Sequence, residues 1–444
     1  MVKVITYGTY DLLHYGHIRL LQRAKALGDY LIVGVTADNF DRARGKINVQ
    51  QSLIERIEAV RATGIADEII VEEYEGQKID DIKRYDVDIF TVGSDWRGKF
   101  DYLEEFCKVV YLERTEGVSS SEIRAEERAL RMGLVGGTRI LDKVEHESNF
   151  VNGLVISGTY SENTRYLSDE MRDLAAKTPH YEQLLQDSDA VYIASHPSVH
   201  YQHVRQALLA GKHVLCESPV AISTKHLEEL REIAEDRQLV LMDAIKTAYS
   251  TAYNRMLLMV KSGVIGRPVS VDSICTSLSD LENADIQDLP EKWNSICAWG
   301  PTALLPIFQI LGTDYNQSQM TSQLLALDFD SFTKMSFVYP HAVASAKVGK
   351  GAKSEGELII SGTKGYIYIP APWWKTDYFE IRYENASNNK RFFYQLEGEG
   401  IRYELISFLK AIKSRKDCSY IEQRHTTAIT RQMELFYNHQ YIEI

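Results

Sequence analysis

The sequence predicts an α/β protein: a doubly wound parallel sheet, a second parallel-sheet domain, and an α+β domain with an open, mostly antiparallel sheet. Short apolar runs alternate with amphipathic helical segments through residues 1–130 and again through 131–250, which favours parallel strands joined by helices. After residue 251 the predicted strands are longer and follow one another more directly. We therefore expect three domains, residues 1–130, 131–250 and 251–444, in keeping with ~150 residues for a typical domain.

The first domain opens with the clearest strand and helix of the chain. Val2–Thr6 is an apolar run that Gly8 ends, and apolar residues recur at helical spacing over Ile18–Leu27 before Gly28. Its other predicted strands are 31–35, 68–71, 87–92 and 108–112, and its other helices 52–63, 78–85 and 120–130. Later strands are predicted at 132–135, 153–156, 190–194, 213–216, 240–242, 269–274, 334–339, 356–361 and 366–369, and helices at 400–413 and 426–437.

Composition and charge exclude several function classes. The chain has 50 basic and 62 acidic side chains, a net charge of -12, and no basic block, so we expect no nucleic-acid or anionic-membrane partner. Its five cysteines are scattered without a CxxC pair, which indicates reduced thiols. The N-terminus has no signal-peptide pattern and no apolar run reaches ~18 residues. These features predict a cytoplasmic protein.

The stretch Thr6–His17, TYGTYDLLHYGH, carries the strongest functional signal. A strand ends at Gly8, and His14 and His17 flank Gly16 where the first helix begins. A helix N-terminus offers free N–H groups and a positive dipole, which suit phosphate. Two imidazoles there can donate to charge that develops on a triphosphate. Two surface histidines beside a turn are the alternative interpretation of an isolated pair.

Two further motifs fit a nucleotide site. GSDW (Gly93–Trp96) follows a predicted strand, and RTEGVSSSEIR (Arg114–Arg124) joins an arginine, a turn glycine and serines at a helix start. In a purely structural interpretation Ser119, Ser120 or Ser121 caps that helix, since SSSE has the form of a capping box. A helix start beside an arginine also suits phosphate, so the two interpretations are compatible.

Together with RAKALGDYLIVGV (residues 23–35), these motifs make residues 1 to about 130 resemble the glycerol-3-phosphate cytidylyltransferases of teichoic-acid synthesis. The resemblance implies transfer of CMP from CTP to a polyol phosphate, giving a CDP-polyol and pyrophosphate for a cell-surface polymer, teichoic acid or capsule. The acceptor oxygen would attack the α-phosphorus directly. Mg²⁺ is expected to arrive with CTP through phosphate oxygens, because the sequence shows no carboxylate cage and hence no protein metal site.

The resemblance also implies roles for individual residues. The implied catalytic residues are His14, His17, Lys46 and Arg114. The implied nucleotide-binding residues are Thr9, Tyr10, Gly16, Gly93, Trp96, Thr115, Gly117, Ser119, Ser120 and Ser121. Arg44, where the family usually has lysine, and Lys78 would hold the acceptor phosphate. Without the resemblance, Lys46 would be interpreted as a solvated loop lysine.

Two departures from the family pattern bear on the acceptor. The family usually has an arginine before its DEV-like strand, where this chain has Gly64, and its GDDW motif is GSDW here, with Ser94. Neither change removes a histidine. Both could reshape the acceptor pocket, so "polyol phosphate" is the prediction rather than glycerol 3-phosphate alone.

The rest of the chain resembles the Gfo/Idh/MocA oxidoreductases. The resemblance lies in DAVYIASHPSVHYQHVRQALLAGKHVLCESPVA (residues 189–221), KSGVIGRPVSVDS (261–273) and LIISGTKGYIYI (358–369). It implies a Rossmann-like dinucleotide-binding domain followed by an open-sheet substrate domain. The large sheet is of the type that this family uses to pair subunits, so a homodimer or larger homo-oligomer is expected.

Several residues of the oxidoreductase chemistry are absent. The GxGxxG fingerprint has Thr138 and Leu141 at its second and third glycine positions, which predicts weak NAD(P) binding. Ser218 stands where the family's EKP motif has lysine, and Trp299–Gly312 has no Asp or His to hold substrate or give a proton. Glu162, Lys246 and His196 are possible substitutes.

These observations leave three interpretations. The favoured one is a cytidylyltransferase fused to an oxidoreductase fold that binds, regulates or oligomerises. The second is a bifunctional enzyme whose second half is an NAD(P)-dependent reductase that makes the polyol phosphate. The third, an interaction protein with two decayed sites, is opposed by the intact HYGH and RTEGVSSSEIR motifs.

Overall fold

The computed structural model describes residues 1–37, 49, 51–74, 76–113, 129–279, 289, 292–394, 396 and 398–444. The chain divides into two compact units, Met1–Ala129 and Leu130–Ile444. The helix predicted at 120–130 falls almost wholly outside the described residues, and Leu130 begins a strand. The α/β class is confirmed, whereas the further division at residue 250 stays a prediction, since 130–444 is one compact unit.

The first unit is a five-stranded parallel sheet in the order β3-β2-β1-β4-β5. Its strands are β1 (Lys3–Gly8), β2 (Tyr30–Thr36), β3 (Glu68–Glu72), β4 (Ile89–Gly93) and β5 (Lys108–Leu112), and its helices are α1 (Tyr15–Lys25), α2 (Leu53–Ala62) and α3 (Gln77–Tyr85). Alternate strand residues feed two cores. Val4 and Leu31 belong to the core that α1 and α2 cover, and Ile5 and Ile32 to the core that α3 covers.

The site of the first unit is fixed by its strand order. β1 pairs with β2 on one side and β4 on the other, so the chain changes direction across the sheet at β1. All pairs are parallel, and the loops that follow β1 and β4 therefore emerge at the same edge. The first loop leads into α1 through His14, and the second begins at Gly93.

The second unit begins with another parallel sheet, ordered β10-β9-β8-β6-β7. Its strands are β6 (Leu130–Gly136), β7 (Leu154–Tyr160), β8 (Ala190–Ala194), β9 (His213–Glu217) and β10 (Leu241–Ala244). Its helices are α4 (Ile140–Ser148), α5 (Asp169–Lys177), α6 (Tyr181–Asp187), α7 (Pro197–Leu209) and α8 (Thr224–Asp236). β8 matches its predicted bounds because its five residues are all buried, the pattern of a central parallel strand.

A nine-stranded sheet, β18-β17-β16-β15-β11-β14-β13-β12-β19, forms the rest of this unit. Its strands are β11 (Pro268–Thr276), β12 (Gln317–Ala326), β13 (Phe329–Val338), β14 (Val343–Gly349), β15 (Leu358–Gly362), β16 (Tyr366–Ile369), β17 (Tyr378–Arg382), β18 (Lys390–Phe393) and β19 (Ile442–Glu443). The accompanying helices are α9 (Thr251–Lys261), α10 (Ser295–Leu311), α11 (Ile401–Ser414) and α12 (Gln423–Tyr437). Most pairs are antiparallel, as predicted, but β11–β14 and β12–β19 are parallel, so the sheet is mixed.

The two sheets of the second unit share one apolar core. Met132 and Leu134 of β6, Phe308 of α10, and Ile401 and Leu405 of α11 all belong to it. The sequence pattern missed α9 and α10. In α10 the residues are apolar nearly all round, so the helix lacks the polar face that marks an amphipathic helix. No helix in the described part of the chain combines the length and apolarity needed to cross a bilayer.

Candidate functional site

The start of α1 holds the two predicted histidines. His14 is the N-cap residue, with extended backbone, and its Nδ1 accepts a hydrogen bond from the Gly16 amide at 3.1 Å. The His17 ring stacks on it, with ring centroids 3.9 Å and planes 25° apart. Because Nδ1 of His14 accepts, its neutral ring carries the proton on Nε2. Both imidazoles therefore lie at the positive end of the helix dipole, where an anion is favoured.

The loop between β1 and α1 is shaped by Tyr10. Its backbone is left-handed, with φ 53°, and its ring is 1% exposed. The ring lies edge-on to His17, with centroids 5.6 Å apart. Burial raises the pKa of the Tyr10 hydroxyl. The side chain thus packs against His17, and a phosphate loop at this position would be lined by the Tyr10 backbone.

A fully buried arginine that the sequence pattern did not reveal anchors this loop. Nη1 of Arg56 donates to the carbonyls of Thr9 at 2.7 Å and Thr36 at 2.8 Å, and its Nε donates to that of Gln51 at 3.1 Å. Gln51 also accepts from the Leu12 amide at 2.8 Å. A buried guanidinium is tolerated only with such partners. Its position among the apolar residues of α2 is the signal that could have found it.

Lys78, a predicted acceptor ligand, lies on α3 at the same sheet edge. Its ammonium group is nearly buried and pairs with Glu72 at the end of β3. It also lies 4.6 Å from the centroid of the Tyr7 ring. Glu72 accepts from Thr36 Oγ1 at 3.1 Å. An acceptor phosphate at Lys78 would therefore compete with the Glu72 carboxylate, and the role of Lys78 stays a prediction.

Gly93 is the last residue of β4, the strand beside β1, and Trp96 lies just after it. A Cβ at Gly93 would meet no heavy atom of the described residues within 4 Å, so those residues leave space beside the backbone at the strand end. Trp96 is half-buried, and its ring packs against Phe100 with centroids 5.8 Å apart. Lys99 Nζ lies 5.2 Å from the centroid of the indole. A partly exposed indole at this edge offers a flat surface for a nucleobase.

The structure brings Thr9, Tyr10, His14, Gly16 and His17 together at the start of α1, and Gly93 and Trp96 after the neighbouring strand. The other predicted residues, Arg44, Lys46, Arg114, Thr115, Gly117, Ser119, Ser120 and Ser121, lie outside the described residues. Within the residues that are described, no three His, Cys, Asp or Glu side chains cluster as metal ligands.

Gly64, the departure noted at the family's arginine position, has a local structural reason. It follows the C-cap of α2 with φ 67°, and its amide donates to the Arg61 carbonyl at 3.1 Å. Glycine is favoured at such a left-handed helix end. Its presence is thus explained by the turn, without reference to the acceptor.

In the second unit, the loop after β6 departs from a dinucleotide cradle. Gly136 has φ 139°, and a Cβ there would lie 2.4 Å from the Ala194 carbonyl oxygen, so glycine is required. The hydroxyl of Thr138 is buried without a hydrogen-bond partner among the described residues. Leu141 packs fully buried in the core. The first glycine fits NAD(P), whereas Thr138 and Leu141 do not, and we derive no step through this cofactor.

The EKP-like segment is also altered. Glu217 Oε1 accepts from the Tyr192 hydroxyl at 2.5 Å, and burial raises the pKa of Glu217. Ser218 is buried beside it and supplies no cation. The three possible substitutes have other partners: Glu162 accepts from Tyr160, His196 caps α7, and Lys246 pairs with Glu399. Each possible substitute thus has another partner, and the expected loss of hydride-transfer chemistry stays a prediction.

Known proteins match the two units separately. The cytidylyltransferase-like family model matches residues 5–126, and the model of the Gfo/Idh/MocA oxidoreductase family, with an NAD-binding Rossmann fold, matches 130–244. The glycerol-3-phosphate cytidylyltransferase of Bacillus spizizenii is 48% identical over 130 residues, 29% of this chain and 100% of the relative. That of Staphylococcus aureus is 48% identical over 130 residues, 28% of this chain and 95% of the relative.

The similar solved structures match a length that corresponds to the second unit. A 3-ketoreductase from Actinomadura kijaniata in complex with NADP and TDP-benzene has a TM-score of 0.61 at 17% identity, over 71% of this chain and 99% of that chain. UDP-N-acetylglucosamine 3-dehydrogenase from Acidithiobacillus ferrooxidans has a TM-score of 0.54 at 18% identity, over 69% and 97%. At these identities the likeness establishes the fold. The expected weak NAD(P) binding stays a prediction. The ketoreductase of similar fold was solved in complex with NADP.

The first unit thus has both the site geometry and relatives of the same length at 48% identity. The chain therefore belongs to the cytidylyltransferase family through its N-terminal nucleotidyltransferase unit, which is fused to a unit with the Gfo/Idh/MocA oxidoreductase fold.

Proposed function

We propose that the first unit transfers CMP from CTP to a polyol phosphate, such as glycerol 3-phosphate, and releases pyrophosphate. The observation that carries the proposal is the stacked pair of His14 and His17 at the start of α1. An oxygen of the acceptor phosphate attacks the α-phosphorus of CTP, and the bond to the β-phosphate oxygen breaks. Preorganised donors at this point stabilise the charge that builds on the phosphoryl oxygens.

The remaining roles follow from the same reaction. Arg56 holds the Thr9 loop in place, so that the histidines need not reorganise during the reaction. Trp96 lies after the neighbouring strand, where it would stack on the cytosine. Lys46 and Arg114 would bind the triphosphate, whose oxygens would also carry Mg²⁺. The glycine and serines of residues 115–121 would wrap the nucleotide.

Two observations support a polyol phosphate as the acceptor: the names of the relatives and the predicted basic residues. Relatives of the first unit are named glycerol-3-phosphate cytidylyltransferases. Arg44 and Lys78 would hold the acceptor phosphate. A CDP-polyol is a building block for a cell-surface polymer, teichoic acid or capsule, and the enzyme would work in the cytoplasm where CTP is available.

The direct test is incubation of the full chain with CTP, Mg²⁺ and a panel of polyol phosphates, with products identified by mass spectrometry. A CDP-polyol and equimolar pyrophosphate are expected. ATP and GTP in place of CTP are the matched controls. Turnover with ATP but not CTP, or no product from any acceptor, would contradict the proposal.

The alternative function is a bifunctional enzyme whose second unit reduces a keto precursor of the polyol phosphate. The fold of an NADP-bound ketoreductase favours it. Ser218 and the absence of Asp and His from α10 oppose it. We propose instead that the second unit pairs subunits. NADPH oxidation with dihydroxyacetone phosphate at an enzymatic rate, abolished by a change in the second unit alone, would establish the alternative.

A further inference from the structure

Three lysines of the second unit converge on one carboxylate. Lys143 Nζ and Lys246 Nζ lie 2.9 and 2.8 Å from Glu399 Oε2, and Lys375 Nζ lies 2.6 Å from Glu399 Oε1. The lysines come from separate segments: α4, a 3₁₀ turn after β10, and a 3₁₀ turn after β16. Their ammonium groups exceed the single carboxylate by two positive charges.

The acids described beside the lysines do not supply the missing negative charge. Burial raises the pKa of both Glu217 and Glu404, the acids that interact electrostatically with Lys246, so burial opposes the charged form of each. Glu147 is engaged by Arg402, with 2.7 Å between its Oε2 and the arginine Nε. Counted over the described residues, the cluster thus keeps excess positive charge.

The surroundings of Glu399 suit a larger anion. Glu399 itself has φ 52°, an unfavourable conformation for a residue with a side chain, which three ion pairs hold in place. The fourteen-residue helix α11 begins directly after it, and the N-cap Gly400 has no side chain to bond the first amides. The side chain of Glu399 is 32% exposed and that of Lys143 is 47% exposed, so solvent reaches the cluster.

We infer that Lys143, Lys246 and Lys375 form a binding site for a phosphomonoester dianion, in which Glu399 acts as an internal anion. A phosphate group offers three terminal oxygens and about two negative charges, which match three ammonium donors with an excess charge of two. Glu399 competes with that ligand for the same donors. The site lies in the second unit and is independent of the proposed transferase reaction.

The test uses the full chain and inorganic phosphate as the probe, at constant ionic strength with chloride as the control salt. Affinity is obtained from the rise in the melting temperature of the second unit as the phosphate concentration increases. Glu399→Gln removes the competing carboxylate and should bind phosphate about tenfold more tightly than the wild type, since three partly exposed ion pairs are lost. It should also melt at a lower temperature in chloride and recover in phosphate.

Matched variants and a local readout make the result decisive. Lys246→Gln with Lys375→Gln should abolish the phosphate effect, whereas Lys225→Gln, an exposed lysine on α8, should leave it unchanged. Hydrogen exchange should show protection in peptides that contain residues 373–375. An equal phosphate response in Glu399→Gln and the wild type, or no protection at 373–375, would overturn the inference.

Two titrations identify the source of the phosphate group. Glycerol 3-phosphate against glycerol tests a small polyol phosphate, and NADPH against NADH tests the 2′-phosphate of a dinucleotide. Protection at 373–375 that requires the phosphate in either pair supports the site. Protection equal for both members of both pairs contradicts it. CDP-polyol formation by the first unit should be unchanged in all these variants, so a failure here leaves the proposed function to its own test.

Discussion

The two parallel sheets place their first strand alike but differ in the loop that follows it. β1 lies between β2 and β4, and β6 lies between β7 and β8, so both loops open where the chain changes direction. After β1, the rings of His14 and His17 stack at the helix start. After β6, Gly136 lies so close to the Ala194 carbonyl that no side chain fits, and the Thr138 hydroxyl is buried.

The comparison shows that the sheet topology creates a position for a ligand, whereas a few side chains determine which chemistry that position supports. In the first unit the loop is also tied down by the buried Arg56. In the second unit, the charged groups lie elsewhere, on the lysines around Glu399. The sequence similarity to known proteins also differs between the units. A relative of the first unit is 48% identical to it, whereas a solved structure with the fold of the second unit is 17% identical.

The largest expected effect is loss of either histidine. His14→Ala or His17→Ala should lower turnover on the order of 10²–10³-fold, because each removes a preorganised donor to the transition state. The measurement is CDP-polyol formation from CTP at saturating substrates. His341→Ala, an exposed histidine of the second unit, is the control and should retain full activity. Wild-type turnover in either site variant would refute the assignment.

Replacing the buried arginine should break the support of that loop. Arg56→Met removes the donors to the Thr9, Thr36 and Gln51 carbonyls, and should lower the free energy of unfolding of the first unit by about 3 kcal/mol. Urea unfolding followed by a first-unit probe measures this. Arg61→Met, a surface arginine of the same helix, should change it little. Unaltered stability in Arg56→Met would mean that the loop is held by other contacts.

A buried carboxyl group should make the stability of the second unit depend on pH. Asp330 accepts from the Ile296 amide at the start of α10, and burial raises its pKa to about 6. The folded state therefore keeps this proton between about pH 4 and 6 while the unfolded state loses it, so its contribution to stability falls as pH rises through that window. Asp330→Asn removes the titration. Its stability relative to wild type should increase by up to about 3 kcal/mol from pH 4 to 7.

Unfolding of the two proteins at pH 4, 5.5 and 7 measures this difference directly. Comparison of the two at each pH removes the contributions of all other groups, which titrate alike in both. Asp272→Asn, a partly exposed acid of β11, is the control. A stability difference that is flat or falls with rising pH would contradict the raised pKa.

Neutralising the residues proposed to bind the acceptor phosphate should change the KM for one substrate only. Lys78→Gln and Arg44→Gln should each raise the KM for the polyol phosphate about tenfold and leave the KM for CTP nearly unchanged, since each loses one charge-assisted contact. Steady-state kinetics with each substrate varied in turn provide the measurement, and Lys83→Gln, an exposed lysine on the same helix as Lys78, is the matched control. A larger change in the KM for CTP would show that the two subsites are exchanged.

The smallest expected effect is on turnover when the second unit is removed. A chain that ends at Ala129 keeps a compact unit of the same length as its relatives, so turnover per site should stay within about twofold. Its oligomeric state, measured by light scattering, should decrease. Unchanged assembly in the truncated chain would contradict the proposed subunit pairing by the second unit.

Much of this molecule could be predicted from local patterns. The helix start at His14–Gly16 was predicted because a strand, glycines and helical spacing lie within a few residues of one another. The bounds of β5, β8 and β16 were predicted because each is a short strand of apolar character. The position of Arg56 among the apolar residues of α2 indicates burial, but its partners could not be predicted, since only the returning loop supplies their carbonyl groups.

Local sequence patterns predict the fold class and the position of the histidine pair, because each depends on neighbours within about one turn or one strand. The missing oxidoreductase residues are instead identified through the resemblance to that family. The tertiary structure decided what depends on distant segments. It alone brought Lys143, Lys246 and Lys375 to Glu399 and buried Lys78 against Glu72. No sequence spacing indicates which distant charges will pair. Their interaction becomes strong only when folding brings them together and removes water from between them.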